Sequence, residues 1–478
     1  MSDFVEKFPT LVWMDKPIIW DTRQEVSGPH WCVLLEDRGS HHTSLRKRSG
    51  AHSVGADSQC KLQVPHPGLW LAERAAGHYG NPTLQLDVYG ITGTNGKTTS
   101  VAMLRHILAS IFPQELVAEL GTLGLRIWRG SELIEAFDTG FTTPEAPTLQ
   151  HLCARLLDRS VRRLVMEVSS HALSLGRVGS VHFRSVGFTN LSQDHLDFHG
   201  SMEAYFDAKK SLFTTYFSNS RQPERWAVVH AAKPWGQRLV SELPLSTELH
   251  AFDWGRSSGF ESQKLAGIEV WDYRFPGKFF APVLGSFNAE NALCALLMAT
   301  RGGQIPVSPG VLTGFPGVPG RLERVSNPNG VNIVVDYAHT PDALQRSLQT
   351  LRHLLSADQK LWVVFGCGGD RDKAKRPAMG GIAESLADFV ILTSDNPRSE
   401  DAAQILNEIR VGFKKWDSAR HQSVADRRQA IGIALAQSDP KDLVLIAGRG
   451  HESVQEIQGV KVPFHDPTVA RELLQTRA

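Results

Sequence analysis

The sequence predicts an α/β protein of three domains: a small N-terminal α/β domain (1–85), a central doubly wound sheet (86–318) and a C-terminal Rossmann-like domain (319–478). Three observations carry this. A chain of 478 residues exceeds what one ordinary core accommodates. Apolar runs of strand length alternate with helical patterns, the signature of a mostly parallel sheet covered on both faces. A glycine-rich loop, GITGTNGKTT (Gly90–Thr99), stands between one such strand and one such helix.

The elements follow in order. The first 85 residues mix short apolar runs such as Trp31–Leu35 with the polar, glycine- and serine-rich stretch Gly39–Gln59, which reads as a loop-rich α/β domain. From Leu84 the buried-strand pattern LQLDVYGIT leads into the glycine loop and then into TTSVAMLRHILASIF, whose apolar residues recur at three and four. Arg163–Val168 and Ser185–Thr189 are further strands. FPGVPG (Phe315–Gly320) interrupts the alternation as a linker. After it, Gly330–Asp336, Leu361–Gly366, Phe389–Thr393 and Leu443–Gly448 are apolar strands ending in polar residues or glycine, so ligands belong at their C-terminal ends.

Composition narrows the partners. With 51 basic and 50 acidic residues, a net charge of +1 gives no field to attract nucleic acid or an anionic membrane. The five cysteines form no CxxC pair, which argues against structural zinc or a disulfide framework and for reduced thiols. The N-terminal segment has no long apolar stretch, and no segment approaches the about 20 apolar residues of a membrane span. A cytoplasmic protein, acting as a monomer without membrane insertion, is expected.

The glycine loop aims backbone N–H groups and the positive end of a helix dipole at one point, which suits phosphate. Lys97 adds a charge for the outer phosphates, and Thr98 a hydroxyl for Mg²⁺. The loop lacks the glycine expected five before Gly96, where Ile91 stands, which disfavours an ordinary kinase or GTPase. VMEVSSH (Val165–His171) sets an acid at a strand end, and FTNLSQDHLDFHG (Phe188–Gly200) crowds Asp194, His195, Asp197 and His199 together. Read alone, these clusters are equally surface hydrogen bonding, and a hard dication prefers oxygen to imidazole.

GTNGKTT, MEVSSHAL, TNLSQDHLDFHG and YFDAKKSLF, in this order, resemble the P-loop ATPase-like central domain of the Mur ligases, ATP-dependent amide-forming enzymes of peptidoglycan synthesis. The resemblance covers residues 86–470 and supplies the short spacing Gly-x-x-Gly-Lys-Thr that Gly93–Thr98 fits. It implies that Gly93, Thr94, Asn95, Gly96, Lys97, Thr98 and Thr99 hold ATP, that Thr98 and Glu167 hold one Mg²⁺, and that His195 with Lys209 as a carbamate serves a second. A carbamate turns a cation into an oxygen anion, which meets the objection to His195. Asn288 and Asn291 would face the adenine, Asp336 the ribose, Arg321 the phosphate charge and His339 the transferred phosphate. Lys97, Glu167, His195, Lys209, Arg321 and His339 are the catalytic group so implied, with the C-terminal domain swinging to close on ATP.

Two stretches choose among family members. FGCGGDRDK (Phe365–Lys373) and TSDNPRSED (Thr393–Asp401), with GRGHE (Gly448–Glu452), resemble the member that adds the third residue to UDP-MurNAc-L-Ala-D-Glu. Those adding meso-diaminopimelate carry Asp-Asn-Pro-Arg; lysine-adding relatives lack the arginine. A guanidinium can grip the distal carboxylate of diaminopimelate with two hydrogen bonds, the role implied for Arg398. Arg371, Asp395, Asn396, Pro397, Gly448 and Glu452 would fix the remaining groups. For UDP-MurNAc-dipeptide the family positions are Thr142, Thr143, Ser169 and Arg177, with Thr22 in Asp21-Thr22-Arg23, which is similar to the Asp-Ser-Arg uridine motif. Leu175 departs from the pattern, because glutamine is common there, and 39–52 do not match the residues usual after the uridine motif.

The implied reaction is attack of the glutamyl carboxylate on the γ-phosphate, then displacement of phosphate by the diaminopimelate amine. A folylpolyglutamate-type or other Mur-type ligase shares the loop and the lysine; Asp395–Arg398 and the N-terminal length argue against it. A non-catalytic Mur-like nucleotide-binding protein is the other alternative. Joint retention of Lys97, Glu167, His195, Lys209 and Asp395–Arg398 argues against that one.

Overall fold

The structure is a computed structural model and describes residues 11–14, 16–20, 30–33, 51–55, 60–253, 258–262, 265–325 and 331–475. The chain divides into two compact units: unit 1 is Met1–Gly259, Val270–Phe279 and Ala289–Thr313, and unit 2 is Phe260–Glu269, Phe280–Asn288 and Gly314–Ala478. The expected boundary after residue 85 falls inside unit 1, and the one after 318 lies close to the passage into unit 2 at Gly314.

In unit 1, β1 (Leu11–Trp13), β2 (Lys16–Ile19), β3 (His30–Val33), β4 (Ala51–Gly55) and β5 (Leu62–Gln63) form a sheet in chain order, antiparallel at β1–β2 and parallel after it. Ile18, Trp20, Trp31, Val33 and Val54 pack there with Leu71 and Ala75 of α1 (Pro67–His78). Asp21, Thr22, Arg23 and 39–50 lie outside the described residues.

The larger sheet of unit 1 is laid down by β6 (Asp87–Thr92), α2 (Lys97–Ile111), β7 (Leu116–Gly121), β8 (Gly124–Arg129), β9 (Glu132–Phe137), α3 (Ala146–Asp158), β10 (Arg163–Glu167), α4 (Ser170–Ser174), β11 (Phe183–Phe188), α5 (Leu196–His199), α6 (Met202–Ser211), β12 (Trp226–His230), α7 (Trp235–Glu242) and β13 (Leu249–Phe252). Its order is β13-β12-β11-β6-β10-β7-β8-β9. The strands from β13 to β7 are parallel, and β8 and β9 continue it as an antiparallel meander. Val88, Leu164, Met166, Val186, Phe188, Ala227 and Val229 supply one buried core, as runs apolar on both faces require. Outer-strand β9, ELIEAF, is mostly exposed, so it lacks the buried run by which the sequence announces its neighbours. A three-stranded sheet of β14 (Ser258–Ser262), β15 (Ile268–Asp272) and β16 (Phe279–Ala281) and the helix α8 (Ser286–Ala299) follow.

Unit 2 is built by β17 (Glu323–Val325), β18 (Asn332–Asp336), α9 (Pro341–Leu354), β19 (Leu361–Phe365), α10 (Lys375–Leu386), β20 (Phe389–Leu392), α11 (Ala402–Arg410), β21 (His421–Ser423), α12 (Arg427–Gln437), β22 (Leu443–Ala447), the hairpin β23 (Val454–Ile457) and β24 (Val460–Pro463), and α13 (Asp466–Gln475). The six-stranded order β17-β18-β22-β19-β20-β21 is parallel except for β17. Strand alternation divides the apolar residues cleanly. Leu361, Val363, Phe365, Leu443 and Leu445 face Leu344, Met379, Ile405 and Leu406 of α9–α11, while Trp362, Val364, Val444 and Ile446 face Ile431 and Val469 of α12 and α13. Helices thus cover both faces, the doubly wound arrangement expected. Among the described residues no helix is long and apolar enough to cross a membrane.

The topology sets the ends of β6, β10 and β11 side by side, and those of β18, β22, β19 and β20 likewise. Because Leu445 is fully buried between β22 and the helices over it, Leu445→Ala should destabilise unit 2 by about 2–5 kcal/mol in a denaturant titration. The exposed Leu245→Ala should move the transition by less than about 0.5 kcal/mol.

Candidate active site

In unit 1 the glycine loop joins the end of β6 to α2. Gly96 is the N-cap of that helix in the left-handed region, φ 86°, and a Cβ there would lie 2.1 Å from Asn291 Oδ1. Only glycine fits, as the spacing of the motif anticipates. The loop is braced from the segment after β11: Thr94 N donates to Asn190 O at 2.9 Å, Asn95 N to Asn190 Oδ1 at 2.9 Å, and Thr189 Oγ1 to Asn95 O at 2.7 Å. Asn291, buried, accepts from Ser100 Oγ at 3.2 Å, which sets it against the loop. Thr98 and Thr99 are buried in the first turn of α2.

Two ammonium groups converge on one carbonyl. Lys97 Nζ donates to Gly93 O at 3.0 Å and to Thr94 O at 2.9 Å, and Lys209 Nζ reaches the same Gly93 O at 2.8 Å. Lys209 is buried on α6, 4.5 Å from the centre of the Tyr205 ring. Burial, and then the neighbouring Lys97 charge, hold its amine well below the ordinary lysine range. Among the described residues no carboxylate forms an ion pair with it.

Glu167 ends β10 and is 1% exposed. Its Oε1 accepts from Thr122 N at 2.8 Å and its Oε2 from Thr122 Oγ1 at 3.3 Å, and no cation pairs with it among the described residues. A carboxylate buried without a counter-ion is costly, and its oxygens are of the kind a hard dication takes, though among the described residues no group of three or more His, Cys, Asp or Glu is arranged to hold a metal. His195 is half exposed with φ 52°, 3.4 Å from Asp194, and its ring centre lies 4.9 Å from that of His171. Burial, joined by the Lys97 charge and opposed by Asp194, lowers the pKa of His195, which favours the neutral imidazole a metal would need.

The residues implied for the nucleotide-peptide gather beside Glu167. Thr143 Oγ1 donates to Glu167 O at 2.9 Å and accepts from Ser169 N at 3.1 Å; Arg177 Nη1 donates to Thr143 O at 3.1 Å. Thr142 Oγ1 lies 3.3 Å from Thr122 Oγ1. Leu175 presents no polar atom from its side chain, and Thr22 lies outside the described residues.

In unit 2 the ends of β20 and β22 carry a second constellation. Asp395 and Asn396 are buried, and Asn396 Nδ2 donates to Glu452 Oε2 at 2.7 Å. Asp395 Oδ2 is buried without a hydrogen-bond partner among the described residues, 2.5 Å from where a Cβ on Gly448 would stand. A side chain at position 448 would displace that oxygen, so the close approach requires glycine. Burial, reinforced by the Asp395 charge, raises the pKa of Glu452. Arg398 stands in the left-handed region, φ 52°, with its N–H donating to Glu456 O at 3.1 Å and Nη1 to Gly369 O at 2.6 Å. Pro397 accepts from Glu400 N at 3.0 Å, closing the turn, while Arg371 is exposed near Gly368, where a Cβ would be 3.8 Å from its Cγ.

Four implied residues sit differently. Asp336 Oδ2 accepts from Leu322 N at 2.7 Å, and Oδ1 from Ala338 N and Ser347 Oγ at 3.0 Å each, so its carboxylate already fastens the turn after Gly320 to α9. Asn288 Nδ2 donates to Leu284 O at 2.7 Å. His339 Nδ1 lies 2.8 Å from Tyr337 O, and the Arg321 guanidinium is 4.8 Å from the centre of the Tyr337 ring.

The sequence reading missed Thr122, which holds Glu167, and Gln455 and Glu456, which hold Asp395 and Asn396 through Gln455 Nε2 to Asp395 O at 2.5 Å and Glu456 N to Asn396 Oδ1 at 2.9 Å. Only the position of Gln455 and Glu456 just beyond GRGHE could have signalled them.

Residues 91–299 match the Mur ligase middle domain and residues 320–450 the glutamate ligase domain of Mur ligases. A relative from Thermosynechococcus vestitus, described as UDP-N-acetylmuramoyl-L-alanyl-D-glutamate--2,6-diaminopimelate ligase, is 40% identical over 87% of this chain and 82% of its own length. A relative of the same description from Bacillus licheniformis is 37% identical over 98% of this chain and 97% of its own. A solved structure of such a ligase superposes with a TM-score of 0.65 at 29% identity, covering 96% of this chain and 94% of that one. Family domains in the expected order and relatives matched nearly end to end establish that the chain belongs to the Mur ligase family of ATP-dependent amide-forming enzymes.

Proposed function

We propose that this ligase joins the amine of meso-diaminopimelate to the glutamyl carboxylate of UDP-MurNAc-L-Ala-D-Glu, driven by ATP and supported by Mg²⁺. The observation that carries the reading is the charge pattern in unit 2: the Asp395 oxygen beside Gly448 with no partner among the described residues, Glu452 bonded to Asn396, and the Arg398 guanidinium two residues past Asn396. Paired acids with an adjacent guanidinium suit a ligand that bears both ammonium and carboxylate groups. The relatives' description names that ligand.

A carboxylate is a poor acyl donor, and phosphorylation supplies a leaving group. The glutamyl oxygen attacks the γ-phosphorus as the bond to ADP breaks; the amine nitrogen then adds to the acyl-phosphate carbon, and the tetrahedral adduct expels phosphate and loses a proton. Catalysis of this kind is mostly positioning and charge stabilisation. Lys97, whose Nζ lies at the glycine loop on Gly93 O and Thr94 O, supplies positive charge to the phosphate oxygens. Thr143, Ser169 and Arg177 orient the peptide, and Arg321 neutralises phosphate charge. Thr98 and Glu167 would hold one Mg²⁺, and His195 with Lys209 as a carbamate a second; such ions would supply positive charge against the phosphate oxygens.

For Lys209 to serve a cation it must lose its own charge. Its burial and lack of a carboxylate partner favour the neutral amine, whose nitrogen adds to CO₂. An N–C bond forms, one C=O electron pair moves to oxygen, and a proton leaves, giving a carbamate anion.

In a phosphate-release assay with ATP, Mg²⁺ and UDP-MurNAc-L-Ala-D-Glu, release should require meso-diaminopimelate, and L-lysine should not replace it. No amino-acid-dependent release would refute the ligase reading. Arg398→Ala should raise the diaminopimelate KM by about tenfold or more while leaving the ATP KM nearly unchanged. Growth in ¹³C-bicarbonate should give a carbamate carbon resonance that Lys209→Ala lacks, and that variant should lose about 100-fold or more of kcat; wild-type protein with full activity and no such resonance would remove the carbamate from the reaction.

A further inference from the structure

Arg427, in the first turn of α12, and Asp466, the first residue of α13, form an ion pair with both side chains at 0% exposure. Nε and Nη2 of the guanidinium donate to the two carboxylate oxygens at 2.8 and 2.6 Å. The rest of its fork reaches backbone: Nη1 donates to Ser394 O at 3.2 Å and Nη2 to Ala447 O at 3.0 Å. Those carbonyls belong to the residues immediately before Asp395 and Gly448. In the sheet β22 and β20 are separated by β19, so no ladder bond sets the end of one against the end of the other. Arg427 spans that gap, and Asp466 supplies the charge that lets it remain buried.

We propose that Arg427, held by Asp466, is a positioning residue for the amino-acid acceptor: it fixes the separation of the two strand ends and so aims Asp395 Oδ2 across Gly448. This rests on the reading that Asp395–Arg398 and Gly448–Glu452 bind diaminopimelate. The fork geometry matters because two carbonyls and a bidentate carboxylate lie in directions that a lysine ammonium cannot serve together. Core packing alone does not require it, since Ile431, Ala434, Val469 and Leu474 already join α12 and α13 to the sheet.

The test is three-substrate kinetics on Arg427→Lys. The KM for meso-diaminopimelate should rise by about tenfold or more, those for ATP and UDP-MurNAc-L-Ala-D-Glu should stay within about twofold, and single-turnover ADP formation without amino acid should be unchanged. Leu474→Ala, in the same helix interface, should lower Tm and leave all three KM values alone. An unchanged diaminopimelate KM in Arg427→Lys, an equal rise in all three, or the same rise in Leu474→Ala overturns the proposal. Arg398→Ala measured in parallel separates the two readings. If it too leaves the diaminopimelate KM unchanged, the acceptor-site reading falls; if it raises that KM and Arg427→Lys does not, only the positioning role falls. Should Arg427→Lys fail to fold, Asp466→Asn, nearly isosteric, carries the same expectations and the same refutations.

Discussion

A parallel sheet covered on both faces has polar backbone to spare only at its strand ends, and that constraint decides where the glycine loop, Glu167 and Asp395–Arg398 stand. Just past Thr92, Glu167 and Phe188 the last strand-to-strand bonds are made, Val168 N to Ile91 O at 2.8 Å and Thr189 N to Thr92 O at 3.0 Å, and side chains from neighbouring crossovers supply further partners. Thr189 and Asn190 close on Asn95 in unit 1; Gln455 and Glu456 close on Asp395 and Asn396 in unit 2. These loops are thereby fixed by bonds to residues 60 to 95 positions away in sequence. Rigid loops on rigid strands are what catalysis by positioning requires.

Charge is buried at these ends in two ways, and the contrast separates support from chemistry. Arg427 and Asp466 satisfy each other with paired hydrogen bonds, and the guanidinium spends its remaining donors on backbone, so the pair asks nothing of a ligand. Glu167 has only Thr122 as donor, Lys209 has only a carbonyl, and one oxygen of Asp395 has no partner among the described residues. Leaving such groups uncompensated is expensive in a folded protein. The cost is coherent if each is completed by what binds: a dication, a carbon dioxide, an ammonium. The same argument demotes Asp336, whose two oxygens already hold three donors, from a group open to ligand to one that fastens a turn.

What the sequence made legible follows from this division. Strands buried on both faces, such as Leu361–Phe365 and Leu443–Ala447, announce themselves as short apolar runs, and the glycine loop is read from its spacing because Gly96 has no tolerated substitute against Asn291. Exposed strands are silent. β9, β23 and β24 have no continuous buried face, yet β23 is what holds Arg398 in place. Side chains that support rather than bind are equally hard to read, because their partners are remote: Thr122 is 45 residues from Glu167, and Arg427 39 residues from Asp466. Nothing local in the sequence marks either pair.

Arg398 concentrates the same logic in one residue. A non-glycine residue at φ 52° carries a conformational cost of about 1–2 kcal/mol, and the chain meets it with two backbone bonds to β23 and its turn, Arg398 N to Glu456 O at 3.1 Å and Gln458 N to Arg398 O at 2.7 Å. The left-handed turn sends the side chain back over Gly368 and Gly369, where Nη1 is held by Gly369 O at 2.6 Å and a Cβ on Gly368 would stand 3.0 Å from it. With one end of the fork already bonded, little rotamer freedom is left to lose when a carboxylate arrives. A flexible arginine on an extended turn would offer the same charge and less discrimination. The role proposed for Arg398 therefore depends as much on the exposed hairpin that fixes its backbone as on the guanidinium itself.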